Sequence, residues 1–196
     1  MSTEGNSLIF SSVFLAKNPQ NDPRVQQLAE WGKKLLANGV VKGTEGNLSF
    51  RTRLGFIITG TNVALDGLNP ETVSEITGVV FGLNKTSVYV KGMAVPSRET
   101  IMHSQIYEER PEVNAIFHIH DAAVTAKAGK IGIPITDKEQ PAGSLELAKE
   151  AVSVLKLNKD VKCFVLRNHG SVVLGATMDE AGKLVAEVGE KAKLLK

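Results

Sequence analysis

Cysteine is nearly absent from this sequence. Its 196 residues contain one, Cys163, which excludes an internal disulfide framework and a thiolate zinc cage, suits a reducing compartment and makes the cytoplasm the expected location. Long apolar runs are missing as well: no stretch approaches the ~20 apolar residues that span a bilayer. The apolar run at 8–16 is short, follows Glu4 and has no basic stretch before it, unlike a secretion signal. Charge of one sign is also lacking. With 23 Lys and Arg against 21 Asp and Glu, the net charge of +2 points to neither a nucleic acid nor a membrane surface as partner. No repeat of 20 to 50 residues is visible, which removes solenoids and propellers. What remains is the make-up of an ordinary folded domain, 42% hydrophobic and 22% charged. A chain of this size buries roughly 70% of its unfolded surface. We expect one domain over 21–196, preceded by an extension at 1–20.

Periodicity sketches the elements. Val25, Leu28, Gly32, Leu35 and Leu36 recur at helical spacing after Asp22-Pro23 and stop at Gly39. The turn-forming run Gly43-Thr44-Glu45-Gly46-Asn47 leads into strands at 48–51 and 56–59, joined across 53–55; two more strands are expected at 79–83 and 87–90. The second half alternates a helix at 97–109, a strand at 115–118, a short helix from Asp121, a helix at 144–155 and strands at 163–167 and 172–174. Thr177 and Glu180 form a capping box before a final helix. Strands and helices mixed without βαβ regularity indicate a layered α/β or α+β domain.

The chemistry-bearing residues are few. Two of the four histidines stand as His118-Ile119-His120 at the end of an apolar run. In a strand, positions i and i+2 share a face with Cα atoms roughly 7 Å apart, a spacing that lets two imidazoles meet on one metal ion. His169, in Arg167-Asn168-His169-Gly170 just past another apolar strand, is a third candidate, with Gly170 expected to allow a sharp turn. Taken singly, each site also reads as ordinary half-buried histidine; the combination favours metal, and three neutral imidazoles leave the ion an open position. Glu99 falls in the first turn of the helix that follows Pro96, where the helix dipole favours its ionised form. His103, one turn further, reads as a packing histidine, and Cys163 as a core residue. The 43–47 turn lacks the ending of a phosphate-binding P-loop.

Taken in order, G-T-E-G-N-L-S-F-R, F-I-I-T-G-T-N, P-S-R-E-x3-H-x2-I-Y, R-P-E-V-N-A-I-F-H-I-H and L-R-N-H-G resemble the class II aldolase/adducin family from about Pro23 to the end of the chain. The resemblance implies a three-layer α/β/α sandwich with a mainly antiparallel central sheet. It also implies one Zn2+ per subunit on His118, His120 and His169, and a homotetramer with sites at subunit interfaces. Glu99 matches the family's catalytic glutamate. In such aldolases a ketose phosphate is cleaved to dihydroxyacetone phosphate and an aldehyde through a metal-stabilised enediolate, with the glutamate moving the proton, a role helped by some rise in its pKa.

The anion pocket of the family maps onto Asn47, Thr61, Asn62, Ser97 and Arg98, with Asn47, Thr61 and Ser97 matching. Asn62 replaces a glycine and Arg98 replaces the second serine of P-S-S-E. Arg98 could strengthen phosphate binding, receive a carboxylate or point to solvent, and the sequence leaves the three open. The tyrosine that some family aldolases use after the H-x-H strand has no counterpart there; Asp137 and Lys138 lie in roughly that place as possible proton donors. The expected activity is therefore a zinc-dependent carbon–carbon lyase. The alternatives are a 4-epimerase, dehydratase or decarboxylase of the same superfamily, or a non-catalytic adducin-like assembly module.

Overall fold

The computed structural model describes residues 10–83 and 85–195. Its strands are β1 (Phe10–Ala16), β2 (Asn47–Arg51), β3 (Phe56–Thr59), β4 (Val73–Phe81), β5 (Thr86–Gly92), β6 (Ala115–Ile119), β7 (Cys163–Leu166) and β8 (Gly170–Gly175). The helices are α1 (Arg24–Ala37), α2 (Thr100–Glu109), α3 (Ala122–Lys127), α4 (Leu145–Leu157) and α5 (Met178–Leu194). Among the described residues the strands form one sheet in the order β1-β5-β4-β3-β2-β6-β8-β7.

Alternation along the central strands builds two cores. Leu48 and Phe50 of β2, and Ala115, Phe117 and Ile119 of β6, pack under α1, α3 and α5. On the opposite face Ile58 of β3, Ile116 of β6 and Val172 and Leu174 of β8 pack under α2 and α4. The result is an α/β/α sandwich with β6 near its middle. On the α2 side, however, β2 presents Asn47, Ser49 and Arg51 in place of apolar residues, and β6 presents His118. The polar end of the sheet thus lies under the start of α2.

The sheet is mixed. Six pairings are antiparallel and β1 runs parallel to β5, a correction to a sheet described only as mainly antiparallel. No tight turn joins β1 to β5, since α1 and three strands lie between them in the chain, so hairpin geometry does not fix the direction of β1. Part of the segment expected as an extension, 10–16, is this edge strand; residues 1–9 lie outside the described residues. β4 begins six residues before the strand expected at 79–83: Val73 and Ile76 are buried in the two opposite cores, and a register shift between Ile76 and Gly78 separates them from the expected stretch. Thr177 caps α5 as expected, accepting from Glu180 N, while the Glu180 carboxylate accepts from Ala176 N, one residue before the capping position.

α1 meets α5 through Trp31, whose indole N–H donates to Asp179 at 2.8 Å and whose ring packs edge-on to Phe117. A Cβ at Gly182 would stand 2.4 Å from that ring. Gly182→Ala is therefore expected to lower stability by about 1–3 kcal/mol through overpacking, read as a drop in the urea midpoint with an unchanged m-value.

Candidate metal centre

β6 lies between β2 and β8, and pairs Asn47 with His118 and Val172 with His118. The His118 ring is fully buried and its Nδ1 stands 3.0 Å from the Ser171 carbonyl, which fixes Nδ1 as the protonated nitrogen and leaves the Nε2 lone pair for another partner. His120 Nε2 is 2.8 Å from His118 Nε2. His169 arrives from the turn between β7 and β8. There Asn168, and not Gly170 as expected, takes the left-handed conformation (φ 55°), with its amide donating to Glu139 at 2.7 Å. Gly170 serves close approach instead: a Cβ there would lie 2.8 Å from the His120 ring and 3.0 Å from the His118 ring. Gly46, at φ +81°, likewise lets the 43–47 turn pass against the His118 carbonyl.

The three rings form a near-regular triangle, with centroids 4.7, 4.8 and 4.9 Å apart and each pair edge to face. Above it sits Glu99, the residue immediately before α2. Its Oε2 is 3.0 Å from His118 Nε2 and accepts from Asn47 Nδ2 at 2.8 Å, and its Oε1 is 3.2 Å from His169 Nε2. One candidate donor atom from each of Glu99, His118, His120 and His169 lies within 4.8 Å of the other three.

Burial alone would raise the pKa of Glu99. It is outweighed by the charge and hydrogen bond of His118, the charge of His169 and the Asn47 amide, so the carboxyl is held well below its usual range, opposite to the rise expected from the sequence. A cation among the rings would act in the same direction. Burial, followed by the charges of His118 and His169, brings His120 down to about 4, and burial also lowers His169. The donor set fits a divalent ion. Imidazole nitrogens from three positions converge with a carboxylate oxygen, Glu99 Oε1 and Asn47 Oδ1 are buried without a hydrogen-bond partner, and no thiolate takes part.

The cluster borders a cavity of about 220 Å³ lined by Asn47, Thr61, Asn62, Ser97, Arg98, Glu99, His120 and His169, together with Thr44 to Gly46, Gly60 and Ala142. The expected anion-pocket residues are thus brought together. Two backbone bonds, Thr61 N to the Val95 carbonyl at 2.8 Å and Ser97 N to the Thr59 carbonyl at 3.0 Å, stitch that wall. Asn62 adopts φ 58°, a conformation that glycine takes freely and asparagine tolerates, so its replacement of glycine preserves the turn. Asp137 and Lys138 are exposed and lie outside this cavity. So does Tyr107, which is buried against Ser49. Sequence reasoning missed the Ser171 carbonyl and the Asn47–Glu99 contact. Only the polar alternation at 47, 49 and 51 hinted at the second.

Residues 26–195 match the family described as Class II Aldolase and Adducin N-terminal domain. The chain belongs to the class II aldolase and adducin family. It is 34% identical over 170 residues to an L-fuculose phosphate aldolase of Methanococcus vannielii, covering 79% of this chain and 85% of that one. It is 26% identical over 187 residues to a 3-oxo-tetronate 4-phosphate decarboxylase of Escherichia coli, covering 87% and 84%. Among solved structures, an L-fuculose 1-phosphate aldolase superposes with a TM-score of 0.74 at 26% identity, covering 90% of this chain and 86% of that one. Class II aldolases are metal-dependent, and this chain is an enzyme of their superfamily with a possible metal site at Glu99 and the three histidines.

Two outcomes test the centre. Gly170→Ala, which crowds both His118 and His120, is expected to weaken metal binding by about 10- to 100-fold, as loss of ligand support does, measured by competition with a chelating dye. In metal-free protein, His103 (brought down to about 3 by burial) and His120 (about 4) resist protonation in the fold but protonate near 6.5 in the unfolded chain; His169, lowered by burial, has the same sign, and Glu99 adds to it below its ordinary value of 4.5. Stability should therefore fall as pH drops from 6.5 toward 4, His103 alone contributing up to about 1.4 kcal/mol per pH unit. Urea midpoints across that range check it.

Proposed function

We propose that this enzyme is a zinc-dependent lyase that cleaves a small ketose phosphate to dihydroxyacetone phosphate and an aldehyde. The observation that carries the reading is the Glu99 carboxylate, held between two imidazoles and an amide at the wall of a cavity lined by small hydroxyl and amide side chains, the Arg98 side chain and Glu45. His118, His120 and His169 would hold the ion. When bound, it supplies Lewis-acid stabilisation of negative charge developing on substrate oxygens. Asn47, Thr61, Asn62, Ser97 and Arg98 are assigned to the phosphate, with Arg98 as the charged member of the group.

Glu99 removes and returns the proton at the carbon that becomes the hydroxymethyl carbon of dihydroxyacetone phosphate. As a carboxylate it is the base of the condensation direction; in cleavage it returns to that carbon a proton it has first taken from the substrate hydroxyl whose carbon–carbon bond breaks, and Asn47 orients its Oε2. Glu99→Gln is expected to lower lyase turnover by roughly 10²- to 10⁴-fold with metal content unchanged by elemental analysis. Unaltered turnover in that variant would exclude the role.

A second reading, decarboxylation of a 3-oxo acid phosphate, is favoured by Arg98, a cavity cation in the place where the family pattern has serine, and by the decarboxylase relative. Carbon dioxide release without dihydroxyacetone phosphate would select it. We further place the enzyme in the cytoplasm, in keeping with its lone buried cysteine. We also infer a homotetramer: a second cavity of about 820 Å³ on the other side of His120 and His169 is open enough to receive part of another subunit. Sedimentation equilibrium giving a monomer would refute this.

A further inference from the structure

The α2 face of β2 carries a buried polar seam in a layer that is mostly apolar. Asn47 meets Glu99, Ser49 Oγ stands 2.7 Å from His103 Nδ1 and 2.8 Å from the Tyr107 hydroxyl, and Arg51 donates to the Tyr107 carbonyl at 2.9 Å. The spacing is matched. Two residues of strand advance roughly 6.6–6.8 Å and four residues of helix about 6.0 Å, so i, i+2 on β2 faces i, i+4 on α2.

Ser49 and His103 are fully buried, and the other ring nitrogen, His103 Nε2, has no hydrogen-bond partner. An apolar side chain would fill the space without that orphan, so the seam lowers stability and must be explained by what it fixes. Glu99 supplies the reason. It occupies the capping position of α2, yet its side chain does not cap the helix and turns into the histidine cluster. The first turn is tied to Ser97, whose Oγ accepts from Glu99 N and whose carbonyl accepts from the Thr100 hydroxyl, and the remaining constraint on where the carboxylate sits along the strand comes from the body of the helix. His103 is the first residue whose amide closes on Glu99, at 3.1 Å. A directional contact at His103 fixes axial position and rotation of α2 over β2, which an apolar contact does not.

We propose that His103, locked by Ser49 and Tyr107, is a positioning residue for Glu99. The inference rests on the reading of Glu99 as the group that moves the substrate proton. Ser49 carries one proton between two partners, so the network runs in one direction, either Tyr107 to Ser49 to His103 or the reverse. In both cases the ring is held neutral and immobile.

The test uses the full-length, metal-loaded protein with His103→Leu, His103→Asn and Ser49→Ala beside Glu99→Gln. The readout is exchange of the hydroxymethyl proton of dihydroxyacetone phosphate with deuterated water. His103→Leu and Ser49→Ala are expected to lower kcat at least tenfold, with KM within about threefold and an unchanged cobalt absorption spectrum. Misplacement of a catalytic group by about 1 Å costs up to 10²-fold. His103→Leu should melt no lower than the parent, and His103→Asn, which returns a polar atom near the Nδ1 position, should recover most of the rate.

Full activity in both His103→Leu and Ser49→Ala, with Glu99→Gln inactive, would overturn this inference and leave the Glu99 assignment standing. Equal losses in His103→Leu and His103→Asn that track lost metal would also overturn it. An active Glu99→Gln would sink both. A crystal structure of His103→Leu decides without substrate: the carboxylate is expected to leave Asn47, and an unmoved Asn47–Glu99 contact refutes the role.

Discussion

Keeping a carboxylate ionised inside a packed layer is the constraint on which the rest of this site depends. Glu99 is only 5% exposed, and burial by itself opposes its charge. The opposition is met by His118 and His169 on one side and the Asn47 amide on the other, each from a different chain segment. Removing a buried charge's partner is far more damaging than losing a surface pair, so the segments that carry these groups have little freedom to move independently. The fold answers by placing them on or beside neighbouring central strands and at the start of one helix.

The two faces of the sheet divide the labour. Under α1, α3 and α5 the strands present a mostly apolar surface that supplies the hydrophobic stabilisation. On the opposite face, polarity is concentrated along β2 and at the His118 end of β6, with Ser74 of β4 a further buried hydroxyl. A sheet with one mostly apolar face tolerates this, because strand alternation keeps the two sets of side chains apart. Close backbone passages at Gly46 and Gly170 then let the turns approach the rings from two sides.

The candidate metal site stands between two unlike cavities, with His120 and His169 bordering both. The smaller is closed by side chains suited to an anion. The larger is lined by small side chains and by Lys42, Lys193, Glu45, Asp121 and Asn168.

Much of this was already written in the chain. The pair at His118 and His120 needs only strand alternation, the Thr177 cap only local geometry, and the apolar periods of α1, α4 and α5 only helical spacing, so each is fixed by residues within a few positions of one another. The meeting of His169 with that pair, the turn taken by Asn168 in place of Gly170, the entry of β1 parallel to β5 and the lowered pKa of Glu99 are of another kind. They depend on distances between segments remote in sequence, and a contact such as Asn47–Glu99, 52 residues apart, exists only once packing has set the register of α2 over β2. The sequence determined which groups were available and which faces they occupied. Tertiary structure alone decided which of them share one electrostatic environment, because Coulomb and hydrogen-bond energies depend on separation in space and not along the chain.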